Sequence, residues 1–358
     1  MRLERRHEPS RAALVLAPIG AVAFTLAISA LLVLWAGAPV GRTYALLLQG
    51  GFGSVFAWSE TLTRAIPLIL TGLAFAIPAR IGLTLIGAEG ALVLGGFAAA
   101  AIAIPLVSNG VPPFVTLPIM AATAIVVGAI WVGFTGWLKY ARGVNETIAS
   151  LLMSYIAIAI MNFFVEGALR DPASANKPST MPIGDAYRIG NIPGTDIHWG
   201  FAAGIVMAIL LWVLMSRTTF GFAARMTGGN LRAAKAQGLP VGWLMVSCCA
   251  IAGASAGFAG FFEVGAIHGQ ANASLVAGYG FTGILVAFLA RQNPMAVVPV
   301  AILFGALAAA GGVIQRRMDM PDATILVLQG IMFVVLLISD TFYGRFKIFQ
   351  VKSTGDRT

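Results

Sequence analysis

Charged side chains are scarce in this sequence. Asp, Glu, Lys and Arg make up 10% of the 358 residues, whereas hydrophobic residues make up 58%. A soluble globular domain carries about 25% charged residues. The composition therefore predicts an all-α, polytopic integral membrane protein. Its length has room for about ten spans of ~20 residues and leaves no soluble catalytic domain.

The sequence also lacks the motifs of the common hydrolases. It has no G-x-x-x-x-G-K-[S/T] phosphate-binding loop, and no lysine follows a glycine. Neither H-E-x-x-H nor G-x-S-x-G occurs, and the three histidines, His7, His198 and His268, are far apart in the sequence. We therefore do not expect the chain to be an enzyme.

Cysteine is nearly absent, and acidic residues are outnumbered by basic ones. Cys248 and Cys249 are adjacent within an apolar stretch, so they are interpreted as small packing residues rather than as a disulfide or zinc site. The formal net charge of +9 needs no nucleic-acid partner. Lys and Arg collect in loops, as they do on the cytoplasmic side of membrane proteins.

Uncharged stretches bounded by charges and by Pro/Gly clusters predict about ten spans. They cover residues 12–36, 60–79, 84–106, 113–138, 145–166, 199–216, 242–265, 278–290, 294–314 and 322–343. A short segment at 43–57 is expected to lie at the membrane interface. Counting crossings places residues 1–11 and the tail 344–358 in the cytoplasm and the polar loop 167–198 outside. Residues 1–358 are thus expected to form a single transmembrane domain.

Two features fit this topology poorly. The segment 278–290 is short for a full crossing, so a broken or re-entrant helix is the alternative. Arg316 and Arg317 fall on the outside, against the positive-inside trend, so a pair of crossings near them can be misassigned.

The loop 225–238 is basic and flanked by glycines. Asn230 can cap a short helix and Gly238 can end it, while the alanines between them favour helix. The pattern predicts a two-turn helix lying flat at the cytoplasmic surface, where it could contact another protein. The alternative is an ordinary basic loop held by anionic lipid.

The fifth span is polar along one side. Thr147, Ser150 and Ser154 form one stripe, and Tyr155, Asn162 and Glu166 form a neighbouring one. Within a bilayer such a face must meet protein or water. It indicates either the wall of a solute path or hydrogen bonding between helices, and the sequence favours neither.

Three carboxylates, those of Glu89, Glu146 and Glu263, lie within or beside spans. Ionisable groups at membrane depth usually serve function, but Glu89 and Glu146 also suit helix N-termini, where negative charge is favoured. Glycine-rich breaks at 87–90 and 278–280 interrupt apolar runs in the two halves. Such paired breaks point either to a substrate site or to close packing of helices.

Several stretches together resemble the permease subunits of bacterial ATP-binding-cassette importers of the branched-chain amino acid/ribose type. The chain is most similar to the nucleoside and simple-sugar permeases served by a lipoprotein binding protein. The matching stretches are 66–99, 143–163, 228–243, 250–269 and 278–307, including IGAEG at 86–90, NE at 145–146 and GYGF at 278–281. They span most of residues 66–307 in the family's order.

The resemblance also assigns residues to roles. The coupling loop of the family, G-x-N-x-x-A-A-x-x-x-G, matches at Gly228, Asn230, Ala233, Ala234 and Gly238, and Arg232 and Lys235 lie within it. The matching stretches would give the translocation path Glu89, Asn145, Glu146, Ser154, Tyr279, Phe281 and Thr282, and the polar side of the fifth span would add Ser150, Tyr155 and Asn162.

The chain departs from the family at positions of that path. Leu85 and Ala91 replace an Asn and a Gln, Ser154 replaces an Asn, and Thr282 replaces an Asp. These changes weaken the case for a ribonucleoside as the solute, although they leave the transport role. Nucleosides, purine-like bases and pentoses all stay open.

The resemblance implies a multi-pass protein of the bacterial inner membrane, embedded in the lipid bilayer. The implied partners are ATP-binding-cassette ATPase subunits, a second homologous permease or a copy of the chain, and an extracytoplasmic solute-binding protein. No cofactor is expected in this chain, since ATP and Mg would bind the ATPase. The alternative is a secondary carrier driven by protons or sodium through Glu89, Glu146 or Glu263.

Overall fold

The structure is a computed structural model that describes residues 37–318 except residue 175, with scattered residues at 23–34 and 326–335. The helices are α1 (Val40–Phe52), α2 (Val55–Arg80), α3 (Ala88–Ser108), α4 (Pro113–Arg142), α5 (Glu146–Glu166), α6 (Gly200–Arg217), α7 (Thr219–Gly229), α8 (Leu231–Ala236), α9 (Val241–Phe262), α10 (Tyr279–Leu289) and α11 (Pro294–Met318). A π-helix, Glu263–His268, continues α9. The described residues contain no strand, so the all-α prediction is confirmed.

Seven of the described helices are long and apolar enough to cross a membrane: α2 to α6, α9 with its π-helical end, and α11. They correspond to seven of the predicted spans. The predicted short segment 278–290 is α10, whose 11 residues are too few for a crossing. Segments 12–36 and 322–343 and the termini 1–11 and 344–358 lie wholly or largely outside the described residues. The count of ten and the side of each terminus therefore stay predictions.

The chain divides into two compact units, one from residues 1–54 and 307–358 and the other from Val55–Ala306. In the first unit, the interfacial segment expected at 43–57 is the helix α1. Its Gly50 faces Ala310, where an added Cβ would meet the Ala310 Cα at 2.9 Å. All residues of the candidate sites lie in the second unit.

The centre of the second unit is built on close contacts between α3, α4 and α9. A Cβ added at Gly95 would lie 2.5 Å from the Cα of Gly257, and Gly128 lies against Gly253 in the same way. Small residues allow such close backbone approach, on which helix association in membranes depends. Cys249, buried and free like Cys248, packs against Gly136, so the prediction of packing cysteines is confirmed.

The predicted span 84–106 begins later than expected, because the chain is not helical before Ala88. Gly82 takes a left-handed conformation (φ 81°) after α2, and residues 83–87 are neither helix nor strand. We call residues 81–87 the unwound segment. It is inserted in the second unit, with Ile81, Leu83 and Leu85 buried. The unwound segment thereby places the first turn of α3, with Glu89, inside the protein.

The predicted outer loop, 167–198, runs beside the π-helix and the segment that follows it. Backbone N–H groups of Thr180, Ile183 and Ile189 donate to carbonyls of residues 271, 269 and 265 at 3.0, 2.9 and 2.8 Å. This loop therefore covers one end of the second unit with a hydrogen-bonded layer.

Candidate functional site

Glu89 brings together the two glycine-rich breaks noted in the sequence. Its side chain is completely buried (0% exposed) in the first turn of α3. The carboxylate accepts hydrogen bonds from Gly278 N–H (2.8 Å) and Gly280 N–H (2.5 Å), at the start of α10. These N–H groups have no partner within the helix, and the N-terminal dipole favours a negative charge there. Glu89 therefore caps α10 from another helix.

Small side chains allow α10 to lie directly on its neighbours. A Cβ at Gly280 would collide with the backbone of Glu89, and one at Gly283 would collide with Thr71. The Thr71 hydroxyl lies 3.0 Å from the carbonyl oxygen of Tyr279 and 2.7 Å from that of Pro67. The start of α10 is thus packed tightly against both α2 and α3.

The predicted path residues of α10 differ in exposure. Tyr279 and Thr282 are half-buried, whereas Phe281 is exposed. Gly280 and Gly283 face the protein, and Tyr279 packs against the hydrophobic core beside them, whereas Phe281 lies on the side of the helix away from that contact. The described structure therefore leaves one face of α10 open, with Phe281 on it.

One polar stripe of α5 is used in hydrogen bonds to the chain around the start of α3. Asn145 caps α5, accepting from Thr147 N–H at 3.0 Å and Ile148 N–H at 3.1 Å. The hydroxyls of Ser150 and Ser154 accept from backbone N–H groups of residues 86 and 90 at 2.9 and 3.3 Å. Both serines are buried. In this structure they hold α5 against α3, which agrees with the second of the two interpretations of this stripe, hydrogen bonding between helices.

The second stripe of α5 faces outward. Tyr155 is 60% exposed, Asn162 is half-buried, and Glu166 at the helix end is exposed. Large apolar side chains beside them, including Leu152 and Phe163, are exposed as well. The structure thus separates two stripes that the helical period makes neighbours: one is covered by protein and the other is open.

The other two carboxylates each have a partner. Glu146, in the first turn of α5, lies 2.7 Å from Lys139 Nζ at the end of α4. Glu263 lies 3.4 Å from His268 Nε2 across the π-helix. Together with Glu89, all three carboxylates considered for ion coupling therefore have hydrogen-bonding or ionic partners in the described structure.

The basic loop forms a short capped helix, as predicted. The Asn230 side chain accepts from Arg232 N–H (3.0 Å) and Ala233 N–H (3.1 Å), and α8 follows. The chain leaves α8 through Gly238, whose φ of 79° is left-handed. The first part of the loop is not irregular, however, because residues 225–229 belong to α7. We call residues 225–238 the coupling segment.

The coupling segment projects from the unit but is anchored to it at three points. Ala234 is 2% exposed, whereas Arg232, Ala233 and Lys235 around it are exposed. The Lys235 ammonium lies 5.6 Å from the ring centre of Tyr140, on α4. Gly228 lies against the backbone where α2 ends. An exposed helix with these anchors can receive a partner and pass on its movement.

Arg80, which the sequence pattern marked only as the end of a span, makes a long-range contact in the structure. Its Nε donates to the Gln292 carbonyl at 3.0 Å, just beyond the end of α10. The sequence carries no signal for this contact, but the backbone of the acceptor residue is unusual, since Gln292 has a φ of 58°. A non-glycine residue in that conformation is uncommon and marks a special backbone site.

Comparisons with known proteins give one family and several relatives. The model of the family described as "Branched-chain amino acid transport system / permease component" matches residues 57–337. The glucose ABC transporter permease protein TsgB13 of Haloferax volcanii is 30% identical over 316 residues, 85% of this chain and 82% of that protein.

Two further relatives are named for nucleosides. The guanosine ABC transporter permease protein NupP of Bacillus subtilis is 30% identical over 352 residues, covering 95% of this chain and 97% of the relative. The nucleoside ABC transporter permease protein NupB of Lactococcus lactis is 25% identical over 302 residues, 82% of each chain. The similarity thus extends over nearly the whole length of the proteins compared.

Proposed function

The chain belongs to the family of permease components of the branched-chain amino acid transport system, and we propose that it forms one wall of a path for a small neutral solute. It is the permease subunit of an ATP-binding-cassette importer, in the inner membrane, and not an enzyme. Its family implies an ATPase partner and a solute-binding protein. The family prediction made from the sequence is confirmed.

The open stripe of α5 carries the proposal for the path. Tyr155 and Asn162 are seven positions apart on a membrane-spanning helix, and the described chain leaves Tyr155 exposed and Asn162 half-buried. Polar groups at membrane depth need water or protein partners, because lipid offers none. A hydrated path between this chain and a second permease supplies both.

The second permease is either a homologous chain or another copy of this one. In either case the exposed apolar side chains beside the stripe, such as Phe163, would be covered by protein instead of lipid. Phe281 on the open face of α10 supplies a second aromatic wall. Glu89, Asn145, Glu146, Ser150 and Ser154 then shape the path by holding α3, α5 and α10 in place, and Tyr279 and Thr282 lie at its edge.

The proposed solute is a nucleoside or a simple sugar. Such molecules have hydroxyl groups and no net charge, which suits hydroxyl, amide and aromatic side chains better than it suits ion pairs. The relatives named for guanosine, nucleosides and glucose support this class.

Coupling to ATP is proposed to pass through residues 228–238. ATP and Mg would bind the ATPase subunits, whose closure would displace α8 and open the path inward. The coupling segment would make different contacts with the ATPase in its two states, and this difference would supply the coupling free energy between the ATPase and the path. Its exposed position and its three anchors support this role.

The test is uptake by the reconstituted complex of permease, ATPase and solute-binding protein. Proteoliposomes with ATP should accumulate guanosine or glucose, whichever ligand the binding protein recognises in a thermal-shift screen. Asn162→Ala should raise the KM for uptake. Accumulation of either solute by the permease alone, driven by a proton or sodium gradient, would instead support the ion-coupled alternative.

A further inference from the structure

The geometry points to Arg80 as a positioning residue that passes the displacement of the coupling segment to α10. This inference rests on the proposed coupling function. It concerns the junction where the end of α2 meets the coupling segment on one side and the end of α10 on the other.

The first half of the junction is a direct contact between two backbones. A Cβ added at Gly228 would collide with the Arg80 carbonyl oxygen and would lie 3.0 Å from the carbonyl carbon of Ile81. On the other side, a Cβ at Gly82 would lie 3.5 Å from the Gly228 carbonyl oxygen. No flexible side chain separates the coupling segment from residues 80–82. A displacement of Gly228 therefore acts directly on the end of α2.

The second half of the junction is the Arg80 side chain. Its Nε donates to the Gln292 carbonyl at 3.0 Å, and the Gln292 N–H donates to the Ala287 carbonyl at 2.8 Å. Gln292 is thus part of the structure that closes the end of α10. A cation is favoured at a helix C-terminus by the exposed carbonyls and the dipole, so half-buried Arg80 suits this position.

The opposite end of α10 is held by Glu89, which lies nine positions after Arg80 in the chain. Arg80 and Glu89 flank the unwound segment, so both ends of α10 are attached to the same short stretch. The body of α10 also lies directly on α2, where a Cβ at Gly72 would be 3.2 Å from Val286.

These contacts decide how α10 responds when Gly228 is displaced. Because both ends of α10 are fixed to residues beside the unwound segment, the helix should move together with that segment. The Arg80 side chain is the part of the connection that one substitution can remove, since its acceptor is a backbone carbonyl. Losing it would leave the coupling segment docked on the ATPase while the end of α10 is released.

The experiment uses the full complex, with its second permease, ATPase and solute-binding protein, reconstituted in proteoliposomes. The variants are Arg80→Ala, Arg80→Gln, which keeps a donor without the charge, and Arg80→Lys, which keeps the charge. Arg64→Ala is the matched control, because Arg64 is a half-buried arginine on the same helix, in an ion pair with Glu60. Uptake, ATP hydrolysis and co-purification with the ATPase are measured for each variant.

A second readout follows α10 itself. Phe281→Cys introduces a thiol on the exposed face of the helix, whereas the native Cys248 and Cys249 are buried and will react slowly. The rate of its modification by a water-soluble maleimide is compared between the nucleotide-free and vanadate-trapped complexes. The difference in rate between the two states reports movement of α10.

In the parent complex the modification rate should differ between the two states. Arg80→Ala should abolish that difference and lower uptake about tenfold, which is the effect expected for the loss of one charge-assisted hydrogen bond. The rate of ATP hydrolysis should stay within about twofold of the parent rate. Arg80→Lys should restore part of the uptake and part of the difference in modification rate, and Arg64→Ala should match the parent in both quantities. If Arg80→Ala does not co-purify with the ATPase, Arg80→Gln tests the inference instead, with the same measurements of uptake, ATP hydrolysis and modification rate.

The inference is overturned if the Arg80 variants that assemble keep parental uptake and the parental difference in modification rate. It is also overturned if uptake and ATP hydrolysis fall together, since that would show lost docking rather than lost transmission. Failure of the parent complex to take up solute with ATP would contradict the proposed function instead.

Discussion

The carboxylate of Glu89 accepts a hydrogen bond from the backbone N–H of Gly280, 191 positions further along the chain. A second bond from Gly278 N–H binds the other carboxylate oxygen at 2.8 Å. Two helix N-termini, those of α3 and α10, therefore meet at one buried negative charge. This contact binds the N–H groups of Gly278 and Gly280 at the start of α10, whereas the Gly90 N–H of α3 is bound by the Ser154 hydroxyl.

Replacing Glu89 by Gln should destabilise the protein. An amide has one acceptor oxygen, so its NH₂ group would face one of the two N–H donors of residues 278 and 280. Hydrogen bonds to charged groups contribute about 1.5–3 kcal/mol each, and a loss of that order is expected in the free energy of unfolding. Thermal unfolding in detergent measures it.

The matched control for that prediction is Glu166→Gln, which removes an exposed carboxylate at the end of α5. It should leave the unfolding temperature unchanged. If Glu89→Gln were as stable as this control, the capping of α10 by Glu89 would have little energetic role.

The coupling helix offers a prediction on function. Ala234 is the buried residue of α8, so Ala234→Asp would bury a carboxylate without a partner and displace the helix. Uptake should be lost, while the affinity of the solute-binding protein for its ligand stays the same. Gly238→Trp should have the same effect, because its left-handed φ of 79° is strained for any other residue.

Uptake assays and ligand titrations of the binding protein check this coupling prediction. The control is Ala173→Asp, an exposed position in the loop 167–198, which should transport like the parent. Normal uptake by Ala234→Asp would show that the coupling segment does not transmit the work of the ATPase.

Local rules in the sequence predicted several of these features. Asn230 was predicted to cap a helix because a short polar side chain can accept from the first free N–H groups, and it caps α8 as expected. Asn145, predicted only as the start of the fifth span and as a path residue, caps α5 in the same way. Gly238 ends α8 for a similarly local reason. Seven membrane spans followed from the pattern of uncharged stretches. In each case the physical cause lies within a few neighbouring residues.

Other features depend on contacts between distant parts of the chain, which the sequence does not reveal. The glycine breaks at 87–90 and 278–280 were evident, but nothing local indicates that they meet at Glu89. The helical period also placed Ser154 next to Tyr155, yet it does not say which face of α5 another helix covers. Arg80 was missed because its acceptor is a backbone carbonyl, which carries no residue signature.

The stability of the loop 167–198 should depend on pH through His198. The side chain is 5% exposed, its ring lies 5.9 Å from that of Phe262, and burial lowers its pKa from 6.5 to about 4. Above pH 6.5 the imidazole is neutral in both the folded and the unfolded chain, so it has no effect. Between pH 6.5 and about 4 the unfolded chain binds the proton more readily, so stability falls as the pH falls.

This pH effect amounts to about 3 kcal/mol when the pH has reached 4, since each pKa unit corresponds to about 1.4 kcal/mol. Chemical unfolding of the parent and of His198→Gln at several pH values measures it. Below pH 6.5 the variant should lose less stability than the parent. Equal slopes for the two proteins would mean that His198 is protonated as readily in the folded chain as in the unfolded one.

The two polar stripes of α5 make opposite predictions. Ser154→Ala removes the acceptor for the Gly90 N–H, which lies 3.3 Å from the Ser154 hydroxyl, and leaves that donor buried without a partner. A loss of about 1–3 kcal/mol in the free energy of unfolding is expected. The KM for uptake should stay the same, because the hydroxyl is buried in the protein.

Asn162→Ala, on the open stripe, should behave in the reverse manner. Its side chain is half-buried and has no partner among the described residues, so the free energy of unfolding should change little. In the path it would lose a contact with the solute, and the KM should rise. Measuring both quantities for both variants separates the roles, since a path through the serine stripe would raise the KM of Ser154→Ala and leave that of Asn162→Ala unchanged.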